Sequence, residues 1–183
     1  MKARRPPKRW SLKHLKEWPF SDIGPEEGLF RVEMVGVCGS DVGIYRRKAT
    51  RARRPYPIIM GHEIFGTIVE IGEEASKRDQ IKTGDRVIVE YVFGCGKCSY
   101  CTNGDYVHCE SYFNYGSMIS CKNPPHFCGA YSEYLFLPPR AIIHQVRRNL
   151  LPEIGVPIRA VLGNNIRWLR MIRGVSQGDI VMI

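Results

Sequence analysis

The sequence predicts a mainly β, barrel-like domain that carries a metal-binding lobe. Short runs of β-branched and aromatic residues alternate with glycine and proline turns, four cysteines cluster between two of these runs, and helical spacing appears only near the end. A hydrophobic content of 44% over 183 residues suits one domain, with room for part of a second. The sequence therefore predicts a β-rich domain followed by a helical segment.

Four strands are predicted from runs rich in Val, Ile, Phe and Tyr. The first covers Phe30 to Val37 and ends at CGSD, which begins a short helical turn. The second covers Ile64 to Ile71, the third is RVIVEYVF after a Thr83-Gly84-Asp85 turn, and the fourth is GAYSEYLFLP from Gly129. Residues 1–27 form a basic segment and loop, in which WSLKHLKEW fits either a strand or a short helix.

Apolar residues at helical spacing start at Pro157 and continue through IRAVLGNNIRWLRMIRGV. A Gly178-Asp179 turn then introduces IVMI, which predicts the start of a further strand. We therefore assign residues 28–156 to the main domain, and residues 157–183 to a linking helix and the start of a second domain.

The spacing C-x2-C-x2-C-x7-C predicts a structural zinc site in a lobe at residues 94–110. Its four thiolates are Cys95, Cys98, Cys101 and Cys109. Thiolates are strong Zn²⁺ ligands, and a closed set of four leaves no open position for chemistry. A disulfide pair or unrelated buried thiols are the alternatives. No apolar core follows the basic N-terminus, so we expect a cytoplasmic chain, and a reducing compartment favours metal over disulfide.

The net charge of +9 invites a nucleic-acid interpretation, which the arrangement of the charges does not support. Basic residues are concentrated at Lys2 to Arg9, Arg46 to Arg54 and Arg140 to Arg173, without interleaved aromatics or a recognition motif. Solvated surface is the preferred explanation, although an anionic substrate or cofactor phosphate could use such charge. No apolar run approaches the length of a membrane helix. Neither a nucleic-acid nor a membrane partner is expected.

Two further motifs carry residues that bind metal ions. Cys38 lies in GVCGSD at a strand end, and His62 and Glu63 lie in MGHEIFG just before another strand. Alone, Cys38 would be interpreted as a buried small apolar residue and His62 as a loop histidine. Their combination with the cysteine lobe favours a second metal site.

VCGSD, GHE, GDRV and CGKCSYC, in this order, resemble the zinc-dependent medium-chain alcohol dehydrogenase family from about Gly28 to the C-terminus. The resemblance implies a GroES-like, partly open β-barrel as the catalytic domain, followed by the first strand of a Rossmann domain. It also implies NAD or NADP as the cofactor of a full-length form. A small alcohol or polyol would be the substrate, and family members are commonly dimers or tetramers.

The resemblance also implies roles for individual residues. A catalytic zinc would be bound by Cys38 and His62, with Glu63 as a neighbouring or exchangeable ligand, and would act as a Lewis acid on the substrate oxygen. Asp41 would hold the ring of His62 in its ligating tautomer, and Ser40 would pass the substrate proton toward solvent.

The chain departs from the family pattern at two places near this site. Gly43 stands where the family often has a histidine that continues the proton relay. The stretch AVLGNN, with Val161, Leu162 and Gly163, offers no third zinc ligand where the family usually has one. Either Glu63 completes the site, or the catalytic zinc is weak or absent. Cys121, Cys128 and His126 are spare candidates, but their spacing does not match the family's ligands, so we interpret these residues as structural or incidental.

A third departure concerns the cofactor. The family's G-x-G-x-x-G turn, which cradles the dinucleotide pyrophosphate, would follow the strand at Ile180, and the sequence stops at Ile183. We therefore expect this chain alone neither to bind NAD tightly nor to turn over. The leading hypothesis is the catalytic portion of a zinc-dependent NAD(P) alcohol or polyol dehydrogenase. The alternative is a non-catalytic zinc-binding GroES-like module.

Overall fold

The computed structural model describes residues 18–19, 22–46, 54–172 and 174–180. The predictions for the N-terminal basic segment, for most of the 46–54 loop and for the strand at the C-terminus fall largely outside these residues.

An open antiparallel sheet of five strands, in the order β6-β1-β2-β3-β7, forms the frame of the domain, and β4 pairs with β5 separately. In the described part of the chain no pairing joins the two edge strands, so the barrel is only partly closed. This confirms the predicted fold class. The strands are β1 (Gly28–Gly36), β2 (Glu63–Ile71), β3 (Arg86–Val89), β4 (Val92–Phe93), β5 (Phe113–Asn114), β6 (Tyr134–Leu137) and β7 (Ile143–Gln145).

The helices are short except at the C-terminal end. They are α1 (Gly39–Tyr45), α2 (Glu73–Asp79), α3 (Ser99–Thr102), α4 (Pro152–Pro157) and α5 (Asn164–Ile166), with a 3-10 turn at Tyr106–His108. Wider π-type turns at Ile158–Gly163 and Arg167–Ile172 flank α5, so a continuous helical segment, here called the final helix, runs from Pro152 to Ile172. None of the described helices is both long and apolar enough to cross a bilayer.

Both faces of the sheet are covered, which explains the unbroken apolar runs in the sequence. Side chains alternate between the two faces of a strand. In β3, Val87 and Val89 join the main core with Phe30, whereas Ile88 packs on the other face with Phe65. Val156 of α4 also packs on that second face, so the final helix is anchored to the sheet at its start.

The elements differ from the sequence prediction in three respects. RVIVEYVF is not one strand, because Glu90 and Tyr91 separate β3 from β4, which belong to different sheets. The final helix begins at Pro152 rather than at Pro157, since proline is well accommodated in the first turn of a helix. The elements α2, α3, β5 and β7 were not predicted, because α2 is polar and the other three have four residues or fewer.

Candidate metal centres

Strand pairing brings the two predicted metal motifs together. Gly36, at the end of β1, is paired with Glu63, at the start of β2. Cys38 follows that strand end and His62 precedes that strand start, so residues distant in sequence share one end of the sheet. Ligand atoms of Cys38, His62 and Glu63 all lie within 4.8 Å of one another. The predicted site residues are therefore adjacent in space.

Asp41 connects this cluster to the first turn of α1. Its Oδ1 lies 3.5 Å from Nδ1 of His62, and its Oδ2 accepts hydrogen bonds from the backbone N–H of Cys38 and the hydroxyl of Tyr131, each at 3.0 Å. The hydroxyl of Ser40 lies 3.4 Å from Nε2 of His62. Asp41 is buried, so it can hold the imidazole in one orientation.

The ionisation of the cluster reflects these contacts. The side-chain hydroxyl and backbone N–H of Ser40 lower the pKa of the Cys38 thiol. Burial disfavours the charged form of His62, but the side chains of Asp41 and Cys38 outweigh it and raise the pKa of the imidazole. Burial likewise opposes ionisation of Asp41, yet His62 and the Cys38 N–H lower its pKa. His62 thus lies between the Asp41 carboxylate and the Cys38 sulfur, and both contacts favour a cation at this position.

Gly61 allows His62 to approach the cluster. Its φ is +92°, and an added Cβ would lie 2.7 Å from Cδ1 of Tyr131. A side chain at this position would both strain the backbone and displace the tyrosine that hydrogen-bonds Asp41. The left-handed turn at Gly61 therefore positions both His62 and Tyr131.

The cluster forms part of an open cleft of about 560 Å³. Cys38, Ser40, His62 and Glu63 line it together with residues from other elements. Those residues include Arg54, Tyr91, Asn114, Ser117, Arg159, Val161 and Asn164. A small molecule entering this cleft would reach the three candidate metal ligands directly.

The second centre is the cysteine lobe. One sulfur each from Cys95, Cys98, Cys101 and Cys109 lies within 4.8 Å of the others, as a tetrahedral zinc site requires. The backbone N–H of Cys95 donates to the sulfur of Cys109 at 3.3 Å. Gly94 is needed here because an added Cβ would lie 2.3 Å from the sulfur of Cys101. All four are free thiols, so the geometry favours metal over disulfide.

The surroundings of the lobe favour the thiolate of Cys95 and disfavour that of Cys101. Backbone N–H groups of Lys97 and Cys98 lower the pKa of Cys95 to about 6. Burial and the neighbouring cysteines raise the pKa of Cys101 to about 11, despite an opposing N–H from Gly96. Zn²⁺ would remove this conflict by stabilising all four thiolates.

The remaining cysteines lie apart from both centres. Cys121, Cys128 and His126 are buried and belong to neither metal-competent group among the described residues. Nδ1 of His126 lies 2.9 Å from the carbonyl of Cys121, and its ring stacks on Trp18 with a centroid distance of 4.4 Å. Burial raises the pKa of the Cys128 thiol to about 12. The interpretation of these residues as structural or incidental stays a prediction.

Three residues of the site were missed by sequence reasoning. Tyr131 contacts Asp41 across 90 residues of sequence, and no motif marks that pairing. Arg54 and Arg159 belong to the basic segments interpreted as solvated surface, but both line the cleft. For Arg159 that interpretation was wrong, because its side chain is only 13% exposed and pairs with Glu90.

Comparison with known proteins identifies the family. The alcohol dehydrogenase GroES-like domain matches residues 24–148, and the chain therefore belongs to that family. A probable alcohol dehydrogenase of Mycobacterium tuberculosis is 33% identical over 172 residues, covering 92% of this chain and 46% of the relative. An erythritol/L-threitol dehydrogenase of Mycolicibacterium smegmatis is 36% identical over 129 residues, covering 67% of this chain and 34% of the relative. The chain thus spans half or less of these relatives.

Solved structures support the same fold. An alcohol dehydrogenase from Thermotoga maritima has a TM-score of 0.68 at 32% identity, covering 78% of this chain and 40% of that one. A putative zinc-binding dehydrogenase from Sinorhizobium meliloti, bound to NADP, has a TM-score of 0.60 at 25% identity, covering 75% of this chain and 36% of that one. These similarities confirm the GroES-like fold and the predicted family of oxidoreductases.

Proposed function

We propose that this chain supplies the catalytic domain of a zinc-dependent, NAD- or NADP-linked alcohol or polyol dehydrogenase. The observation that carries the proposal is the convergence of Cys38, His62 and Glu63 within 4.8 Å at an open cleft. The names of the relatives support an alcohol or polyol as substrate, and the NADP-bound neighbour supports a nicotinamide cofactor. Residues 28–156 would form the catalytic domain, and residues 157–183 would lead toward a nucleotide-binding domain.

The donor set fits Zn²⁺. A thiolate, an imidazole and a carboxylate are all common zinc ligands, and three protein ligands leave a position open for substrate. Glu63 would be the third ligand, because Val161 presents an apolar side chain to the cleft where a further ligand could have stood. Bound there, zinc would supply Lewis-acid polarisation of the alcohol oxygen.

The chain's own residues would then position the metal ligands and move the proton. Oδ1 of Asp41 lies 3.5 Å from Nδ1 of His62 and would attract a proton to that nitrogen, which would leave Nε2 to bind the metal. The hydroxyl of Ser40 lies in the cleft beside Nε2 and would take the proton of the substrate hydroxyl. Because Gly43 has no side chain to continue a relay, we expect the proton to leave Ser40 through water.

Zinc counting tests the proposal. The purified chain should bind about two zinc ions, one in the lobe and one at the cleft. His62→Ala should lower the count by about one, whereas the control His108→Ala, at an exposed lobe histidine outside the four ligands, should not change it. A wild-type chain with only the lobe zinc, or an unchanged count in His62→Ala, would contradict the proposal.

The alternative is a non-catalytic zinc-binding module, and the apolar Val161 at the cleft favours it. A catalytic zinc keeps an exchangeable position, whereas a structural zinc does not. With cobalt in place of zinc, a small alcohol should change the visible absorption of the site that depends on His62. If the spectrum does not respond to alcohols although the second metal is bound, the module hypothesis is favoured.

A further inference from the structure

We propose that the cleft selects alcohols that also carry an anionic group, a phosphate monoester or a carboxylate, and that Arg54 and Arg159 bind this group. The inference rests on the proposed function for the hydroxyl end of the substrate. Its anion-binding end depends only on the two arginines, which line the same cleft as Cys38 and His62.

Arg159 presents a fixed guanidinium to the cleft. Its Nε and Nη2 donate to Oε2 of Glu90 at 3.3 and 2.8 Å, and its guanidinium carbon lies 4.0 Å from the centre of the Tyr91 ring. A guanidinium has five N–H donors in a fixed plane, so the contacts with Glu90 leave donors for a ligand. A donor already held in place loses little conformational freedom on binding.

Arg54 has fewer hydrogen-bond and ion-pair partners than Arg159 among the described residues. Its Nε is buried and has no hydrogen-bond partner, and no carboxylate pairs with it among the described residues. A buried donor without a partner is costly. Because Arg54 also lines the cleft, its guanidinium is the group we expect to bind an oxyanion there. Charge-assisted hydrogen bonds from arginine to phosphate or carboxylate are among the stronger polar contacts in proteins.

The balance of charge in the cleft also favours an anion. With zinc bound, the Cys38 thiolate and the Glu63 carboxylate cancel the two charges of the metal. Glu90 offsets Arg159 and Asp41 faces His62, so among the described residues that line the cleft Arg54 is the basic side chain without a paired carboxylate. Asn114 and Ser117 add neutral polar groups to the lining. A neutral polyol would use these groups but would leave Arg54 without a counter-charge.

Calorimetric titration of the zinc-loaded chain at low salt tests the proposal with three ligands of similar size: glycerol, glycerate and glycerol 3-phosphate. At least one anionic ligand should bind roughly tenfold or more tightly than glycerol. Comparing the affinities of glycerate and glycerol 3-phosphate shows whether the cleft prefers a carboxylate or a phosphate. Equal affinity for all three would overturn the proposal.

Arg54→Gln should remove most of the preference for the anionic ligand, whereas the matched control Arg31→Gln, at an exposed position on β1, should keep it. Arg54→Lys, which conserves the charge, should retain part of the preference, and thermal unfolding verifies that each variant is folded. An unchanged preference in a folded Arg54→Gln variant would contradict the assignment.

His62→Ala distinguishes the arginines from the metal as the anion-binding group. Anion binding that survives in His62→Ala but fails in Arg54→Gln supports the arginines, even if zinc counting rejects the catalytic metal. Anion binding that is lost in His62→Ala but kept in Arg54→Gln would overturn this inference and would leave the proposed function intact. Tight binding of pyrophosphate without binding of either glycerol derivative would also overturn it, since the arginines would then serve a dinucleotide.

Discussion

Oδ1 of Asp41 lies 3.5 Å from Nδ1 of His62, so the buried carboxylate faces one nitrogen of the ring, while the hydroxyl of Ser40 lies 3.4 Å from the other. The second oxygen of Asp41 is held by the hydroxyl of Tyr131 and the N–H of Cys38. One carboxylate thereby contacts both the imidazole of His62 and the backbone of Cys38, two of the candidate metal ligands. We therefore expect the candidate metal centre to depend on Asp41 as well as on its ligands.

Asp41→Asn is expected to weaken metal binding at the cleft by roughly 10- to 100-fold, because an amide orients the imidazole less firmly and removes its countercharge. Competition with a zinc chelator measures the affinity, and the lobe zinc should remain bound. Asp79→Asn, which removes a surface partner of Arg78, serves as the control. Equal zinc affinity in both variants would show that Asp41 does not support the site.

Gly61→Ala is expected to destabilise the fold and release the metal at the cleft, because the new Cβ would collide with Tyr131. Gly84→Ala is a matched control, since Gly84 also has a positive φ, +88°, but an added Cβ there has no heavy atom within 4 Å. Both variants carry backbone strain, of roughly 1–3 kcal/mol. Zinc counting combined with urea unfolding separates them, and loss of metal in both variants would refute a specific role for Tyr131.

The two centres differ in how much the sequence reveals. The lobe ligands lie close together in sequence, so their spacing alone predicts the site. Cys38 and His62 meet only because Gly36 is paired with Glu63, and the family resemblance made that proximity predictable. Tyr131 reaches Asp41, and Arg159 reaches the cleft, through contacts that no local sequence pattern predicts. The sequence also did not predict that RVIVEYVF is divided at Glu90, because the apolar residues on both sides have the pattern of one strand.

Cys98→Ser is expected to abolish zinc binding in the lobe and lower the unfolding temperature, since a structural zinc contributes directly to folding. The zinc content should fall by about one ion, and the cleft metal should be affected only through the loss of stability. Cys121→Ser is the control, because Cys121 is a buried thiol outside both metal-competent groups. An equal zinc content in the two variants would exclude the lobe as a metal site.

Glu90 should make the stability of the fold depend on pH below about 4.5. Burial opposes its ionisation, but His144 and Arg159 outweigh burial and lower its pKa from 4.5 to about 2. A carboxylate with a lowered pKa in the folded state stabilises the protein above its unfolded pKa. That contribution is lost as the pH falls from about 4.5 toward 2.

Glu90→Gln should therefore reduce the free energy of unfolding by on the order of 3 kcal/mol at pH 7, with the difference from wild type shrinking as the pH falls below about 4.5. Urea unfolding followed by circular dichroism at several pH values measures this difference. Loss of zinc in acid destabilises the wild type and Glu90→Gln alike, so it largely cancels in the difference between their free energies of unfolding. Glu133→Gln, at an exposed position, should differ little from wild type at any pH. A Glu90→Gln difference that stays constant from pH 7 to pH 3 would show that the contribution of Glu90 does not come from its charge.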